Sequence, residues 1–170
     1  MATCLAGCGK DPFLVVPLPK KTGRTSDRPP PPAATVPVPS APAGHVDIVK
    51  AAPDGPVASV VRLEMDRAQR EGRKLLVYVG AKWCEPCQKF HQAAEAGKLD
   101  GDFGDLRLLE FDLDHDRDRL AAQGYSSQLI PLFAVPGPDG SASGKSIQGS
   151  IKGDGAVDEI RPRLRQLIGG

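Results

Sequence analysis

The stretch GAKWCEPCQKF, Gly80 to Phe90, sets two of the chain's four cysteines three residues apart, directly behind its single tryptophan. Two thiols at this spacing can hold a metal, staple a fold, or exchange electrons with other thiols. The backbone beneath them decides between these. Just before them, Leu75-Leu76-Val77-Tyr78-Val79 is a continuous apolar run, the pattern of a strand buried on both faces. After them a helical pattern runs to about Ala96, with Phe90 and Ala94 on one side. Cys84 therefore falls where a buried strand ends and a helix begins.

That junction has chemical consequences. The first turn of a helix presents unpaired N–H groups and a partial positive charge, which stabilise an anion. A thiol there ionises more readily, and the thiolate is the nucleophile of disulfide exchange. Pro86 is tolerated in a first turn, where its missing donor would have gone unpaired. Cys87 is placed to attack a mixed disulfide formed by Cys84. On this reading Cys84 attacks and Cys87 resolves.

Outward from the pair, Val57, Val61, Met65 and Ala68 recur at helical spacing before a stop at Gly72. Leu106 to Leu113 reads as a second strand and Asp116 to Gln123 as a short helix. Pro131 to Val135 is a third apolar run, Pro138-Asp139-Gly140 a turn, and Lys145 to Ile151 a fourth strand. Val157, Ile160, Leu164 and Leu167 close the chain as an amphipathic helix, in which Pro162 must lie in the first turn or produce a kink. Alternating helices and strands predict an α/β fold with a mixed central sheet, parallel first and ending in an antiparallel hairpin, and with helices on both faces.

At this point the sequence resembles the thioredoxin superfamily over about residues 50 to 168. The resemblance rests on Trp83-Cys84-x-Pro86-Cys87 after the buried strand, Phe111-Asp112-Leu113-Asp114 closing the next one, and Ile130-Pro131 opening the third. It implies a thioredoxin fold and thiol–disulfide exchange needing no bound cofactor. It also implies a cis Pro131 that shapes a substrate groove with Ile130, Trp83 and Pro86. Many members carry a buried aspartate six residues before the first cysteine as a proton acceptor; here that position is Tyr78. The Glu85-Pro86 pair resembles that of extracytoplasmic reductases working in cytochrome c maturation. A carboxylate between the sulfurs disfavours thiolates, so Glu85 tunes the pair toward a reductase, while Lys82 and Lys89 act in the opposite sense.

Other readings of these residues compete. Cys84, Cys87 and His91 form C-x2-C-x3-H, but a structural zinc site needs a fourth ligand from elsewhere. A non-catalytic binding module for copper or a partner protein is the alternative function. A purely structural bridge closing so short a loop constrains little of the unfolded chain. The charge run Asp112 to Arg119 reads as a solvated turn and helix face.

The N-terminal part has a different character. Ten of the seventeen prolines lie between Pro12 and Pro42, so residues 9–44 read as a disordered tether, or else a proline-rich ligand. Leu5-Ala6-Gly7-Cys8 resembles a bacterial lipobox. That resemblance implies that residues 1–8 are the remnant of an export signal and that Cys8 carries lipid. Residues 45–170 would then form a monomeric domain facing the periplasm, anchored in the cell envelope by Cys8; the alternative is a cytoplasmic protein. The expected partners are cysteine-containing client proteins and an upstream thiol electron donor. A net charge of +1 and 5% aromatic residues exclude a nucleic-acid-binding surface, and no apolar run reaches the roughly 20 residues of a membrane span.

Overall fold

The computed structural model describes residues 44–169. The lipidation reading at Cys8 and all but the last residue of the proline-rich tether lie outside the described residues. The chain runs β1 (Asp47–Lys50), α1 (Val57–Arg70), β2 (Lys74–Gly80), α2 (Glu85–Glu95), α3 (Asp100–Phe103) and β3 (Leu106–Asp112). It continues with α4 (Leu113–Ala121), β4 (Leu132–Pro136), β5 (Ala142–Gln148) and α5 (Ala156–Gly169). One sheet results, in the order β1-β3-β2-β4-β5. β1, β3 and β2 are parallel; β4 and β5 are antiparallel to their neighbours. The mixed sheet expected from the sequence is present.

The strict alternation of a strand sorts its side chains between two cores. Leu76 and Tyr78 of β2, with Leu106 and Leu108 of β3 and Phe133 of β4, face Phe90 and Ala94 of α2 and Ile160 and Leu164 of α5. Val77 and Val79, with Leu109, Phe111, Leu132 and Ala134, face Val57 and Val61 of α1 and Leu120 of α4. Helices thus cover both faces, which is why β2 is apolar at every position from Leu75 to Val79. Burying a side chain such as Phe90 or Leu109 contributes about 1.5–3 kcal/mol, and this continuous packing fixes where β2 ends.

Some elements depart from the sequence expectation. β1 and α3 are additional; each is only four residues long, too short to show a period. α4 begins at Leu113 rather than Asp116, because the Asp112 carboxylate accepts the Asp114 N–H at 3.0 Å and caps the helix. β5 lies three residues earlier than expected. Its ladder ends where Gly149, at φ +68°, donates its N–H to the Pro131 carbonyl and turns the chain away before Ile151. Pro162 lies in the interior of α5, not its first turn.

Two glycine turns close the layout. Gly72, at φ +67°, ends α1 as anticipated. Gly140, at φ +85°, ends the Pro138-Asp139-Gly140 turn against α1, where a Cβ would stand 2.2 Å from the Ala58 carbonyl oxygen. Among the described residues no helix is long and apolar enough to cross a membrane.

Candidate functional site

β2 delivers the chain to Gly80, and Ala81-Lys82-Trp83 turns it into α2. Cys84 is the N-cap, in extended backbone, and donates its own N–H to the Ala81 carbonyl at 3.1 Å. Its sulfur accepts the Cys87 N–H at 3.3 Å, so the first turn of α2 closes onto Sγ. Pro86 follows within that turn, with no donor to leave unpaired. The two sulfurs are joined as a disulfide, with Cα atoms 5.2 Å apart. Both residues are nearly covered, at 4% and 3% exposure. A partner must therefore approach through whatever surrounds them.

Trp83, directly before Cys84, is 64% exposed; Leu129, two residues before Pro131, and Ile151, just after β5, are exposed apolar residues too, at 61% and 56%. The Ile130–Pro131 peptide bond is cis, as the resemblance implied, and Ile130 packs on the cluster that contains both cysteines. Leu132 pairs with Val79, which sets Pro131 beside the end of β2, next to the turn that carries the cysteines.

Polar contacts hold this region. The Trp83 indole N–H donates to the Asp114 carboxylate at 3.0 and 3.2 Å. Glu85 accepts the Gly153 backbone N–H at 3.0 Å, and Lys89 Nζ donates to Asp154 at 2.6 Å. These two bonds tie the start of α2 to the β5–α5 loop. The Lys89–Asp154 hydrogen bond raises the lysine's pKa and lowers the aspartate's.

Beneath the pair, Tyr78 is fully buried and its hydroxyl has no hydrogen-bond partner among the described residues. Burial, and secondarily the charge of Glu110, push its pKa far above the usual phenol range, so the phenol stays protonated. Its ring packs on Phe90, Phe133 and His91, at centroid separations of 6.0, 5.0 and 5.5 Å. Tyr78 and Cys87 line an open cleft of about 730 Å³ that also takes in His91 and Glu110.

Cys84, Glu85, Pro86, Cys87 and Trp83 are thus gathered at one strand end, with Ile130 and Pro131 brought in by the segment that enters β4. Within the charge run Asp112 to Arg119, Asp114, His115, Arg117 and Asp118 are exposed, and Asp116 is the exception. Asp116 is 6% exposed, accepts the Asp112 N–H at 3.0 Å and pairs with Arg119 at 2.8 Å. Sequence reasoning did not find the partners Asp114, Gly153 and Glu110. Each meets its residue across a long stretch of chain, and no local spacing announces it.

No protein-family model matches this chain, and neither does any curated protein. Among solved structures it is similar to oxidised thioredoxin O1 of Arabidopsis thaliana, at 19% identity and a TM-score of 0.44 over 72% of this chain and 97% of that one. It is also similar to a poplar thioredoxin h, at 20% identity and 0.43, over 74% and 95%. A mutant thioredoxin from Halobacterium salinarum matches at 17% and 0.39, over 73% and 93%. Likenesses this distant carry no argument about activity. The chain's own strand order speaks to architecture: a parallel trio, an antiparallel pair entered through a cis proline, and a disulfide capping the helix that follows the central strand. Residues 44–169 have the thioredoxin fold.

Proposed function

We propose that this protein is a thiol–disulfide oxidoreductase whose Cys84–Cys87 pair exchanges electron pairs with cysteines of client proteins. The observation that carries this reading is a disulfide at a helix N-terminus, directly behind the exposed Trp83. A structural bridge has no need of an exposed aromatic ring beside it, whereas a docking polypeptide does.

In the reducing direction, the Cys84 thiolate attacks a client disulfide, forming a mixed disulfide and releasing one client thiolate. Cys87 then loses its proton and attacks Cys84 Sγ. The Cys84–client bond breaks, the client leaves as a dithiol once protonated, and Cys84–Cys87 is oxidised. The electrons reside in the sulfurs, so the chemistry calls for no cofactor, only an upstream thiol donor to reduce the pair again. Glu85 supports the reductase direction, since its charge near the sulfurs disfavours thiolates. The Leu5–Cys8 resemblance and the proline-rich segment behind it support a periplasm-facing protein, lipid-anchored through Cys8 in the bacterial cell envelope.

The test combines a trap with a potential. Cys87→Ser is expected to accumulate a covalent client adduct through Cys84, visible by mass spectrometry, and Cys84→Ser is not. A reduction potential near roughly −270 mV supports a reductase, and one near −120 mV makes the protein an oxidase. A pair that does not cycle with any thiol buffer would overturn the proposal.

A further inference from the structure

The exchange reaction requires the Cys87 thiol to lose a proton while Cys84 is bound to its client. Tyr78, the buried polar residue beneath the pair, cannot accept it, because its phenol is itself protonated. Another group must lie within reach, and the cleft holds one. His91 is four residues beyond Cys87 on α2, so both side chains project from the same face of the helix. Both line the cleft. From β3, Glu110 sets Oε1 2.9 Å from His91 Nε2, and this is the one ion pair of His91 among the described residues. The two side chains are 28% and 21% exposed. They can therefore exchange protons with solvent while remaining partly shielded.

A carboxylate oxygen 2.9 Å from Nε2 occupies that side of the ring and leaves Nδ1 as the nitrogen open to a donor. This is the logic by which a carboxylate orients a catalytic imidazole.

The remaining charged groups around the cleft are otherwise placed. Asp112 caps α4 and Asp116 is held by Arg119 and the Asp112 N–H. Lys50 of β1 and Lys82 before α2 are exposed cations. Glu95 sits two turns beyond Cys87, and His115 of α4 is exposed.

We propose that His91 is the base that takes the Cys87 proton, directly or through one water, with Glu110 as its positioning residue. In balance, the S–H bond of Cys87 breaks and its proton moves to Nδ1. The Cys87 thiolate attacks Cys84 Sγ, and the departing client sulfur takes up a proton from the imidazolium or solvent. This assignment rests on the exchange reading above.

The test uses the full chain carrying Cys4→Ser and Cys8→Ser, so that only the pair reacts, with 5,5′-dithiobis(2-nitrobenzoate) as the probe disulfide. Reduced protein releases one thionitrobenzoate when Cys84 attacks and a second when Cys87 resolves. His91→Gln is expected to slow the second release about tenfold or more at pH 7 and to leave the first within about twofold, since only resolution uses the base. The deficit should shrink as pH rises, because hydroxide takes over the proton transfer.

Glu110→Ala removes the group that positions the ring, so the second release should slow severalfold while the first is unchanged, and Glu110→Gln, which keeps an oxygen at that place, should restore most of the rate. Tyr78→Phe should leave both steps unchanged. A second step in His91→Gln that matches the parent at pH 7, a deficit that persists undiminished above pH 9, or a slowed Tyr78→Phe would each overturn the assignment. So would a second step in Glu110→Ala that matches the parent. If the parent protein releases no thionitrobenzoate at all, the exchange reading itself fails and this proposal falls with it.

Discussion

The Glu85 carboxylate accepts the backbone N–H of Gly153, 68 positions downstream, at 3.0 Å. A residue lying between the two cysteines is therefore also an anchor of the β5–α5 loop. Two consequences can be separated by substitution. Glu85→Gln keeps an acceptor but loses the charge, so it should raise the reduction potential by up to about 30 mV, tenfold in the exchange equilibrium. Glu85→Ala loses both and should in addition destabilise the domain by about 1 kcal/mol. Potentials in glutathione buffers and urea midpoints check the pair; a lowered potential in Glu85→Gln would refute the charge reading.

Trp83 keeps its indole N–H on Asp114 while 64% of the residue remains in solvent. Asp114→Ala frees the ring without touching the sulfurs. Client reduction should slow severalfold through KM with kcat nearly constant, because the loss falls on docking and not on chemistry. Fluorescence of this single tryptophan reports the release directly. An emission spectrum identical to that of the parent protein would contradict the contact.

Tyr78 buries a hydroxyl with no partner among the described residues. Leaving such a group unsatisfied costs about 1–3 kcal/mol, so Tyr78→Phe should stabilise the fold by about 1 kcal/mol. The urea midpoint measures it, and a loss of stability would mean that the hydroxyl is hydrogen-bonded.

Arg107 is 6% exposed and faces Glu64, at 3.3 Å, with Asp47 at 3.4 Å and Glu71 also in contact. Arg107→Ala leaves Glu64, itself 7% exposed, with only Arg67, at 2.8 Å, as its cation. The expected loss is about 1–3 kcal/mol, partly restored by adding Glu64→Gln because the two residues are coupled. Additive losses in the double mutant would rule out the coupling.

Acid should weaken the domain through Asp100 and Asp102. The hydrogen bonds from His45 and the Val46 N–H hold Asp100 below its ordinary 3.8, and Arg165 with Arg161 does the same for Asp102. A carboxylate with a depressed folded-state pKa gives stability that is fully present above the unfolded value and lost as pH falls through the folded one. Melting temperature should therefore be flat above about pH 5 and decline below about pH 4, with a shallower decline in Asp100→Asn. A decline no shallower in that variant would show that Asp100 is not a contributor.

The elements that bury apolar side chains were legible in the sequence because their periods are local: the unbroken run of β2, and the spacing of Val57, Val61 and Ala68 on α1. So were Cys84, Cys87 and Pro131, since a helix-capping thiol pair and the proline opening β4 are written in short stretches. β1 and α3 were not legible, being four residues each. Nor was the early end of β5, which depends on a hydrogen bond from Gly149 to Pro131.

The sequence alone thus located the cysteine pair at a strand-to-helix junction and the kind of fold that presents it, because both follow from neighbours along the chain. Only the tertiary structure decided what those residues touch: Glu85 on Gly153, Trp83 on Asp114, and Glu110 beside His91 behind Cys87. Such contacts join separate strands, helices and loops. They exist only once the sheet order has set β3 next to β2 and packed α2 across them.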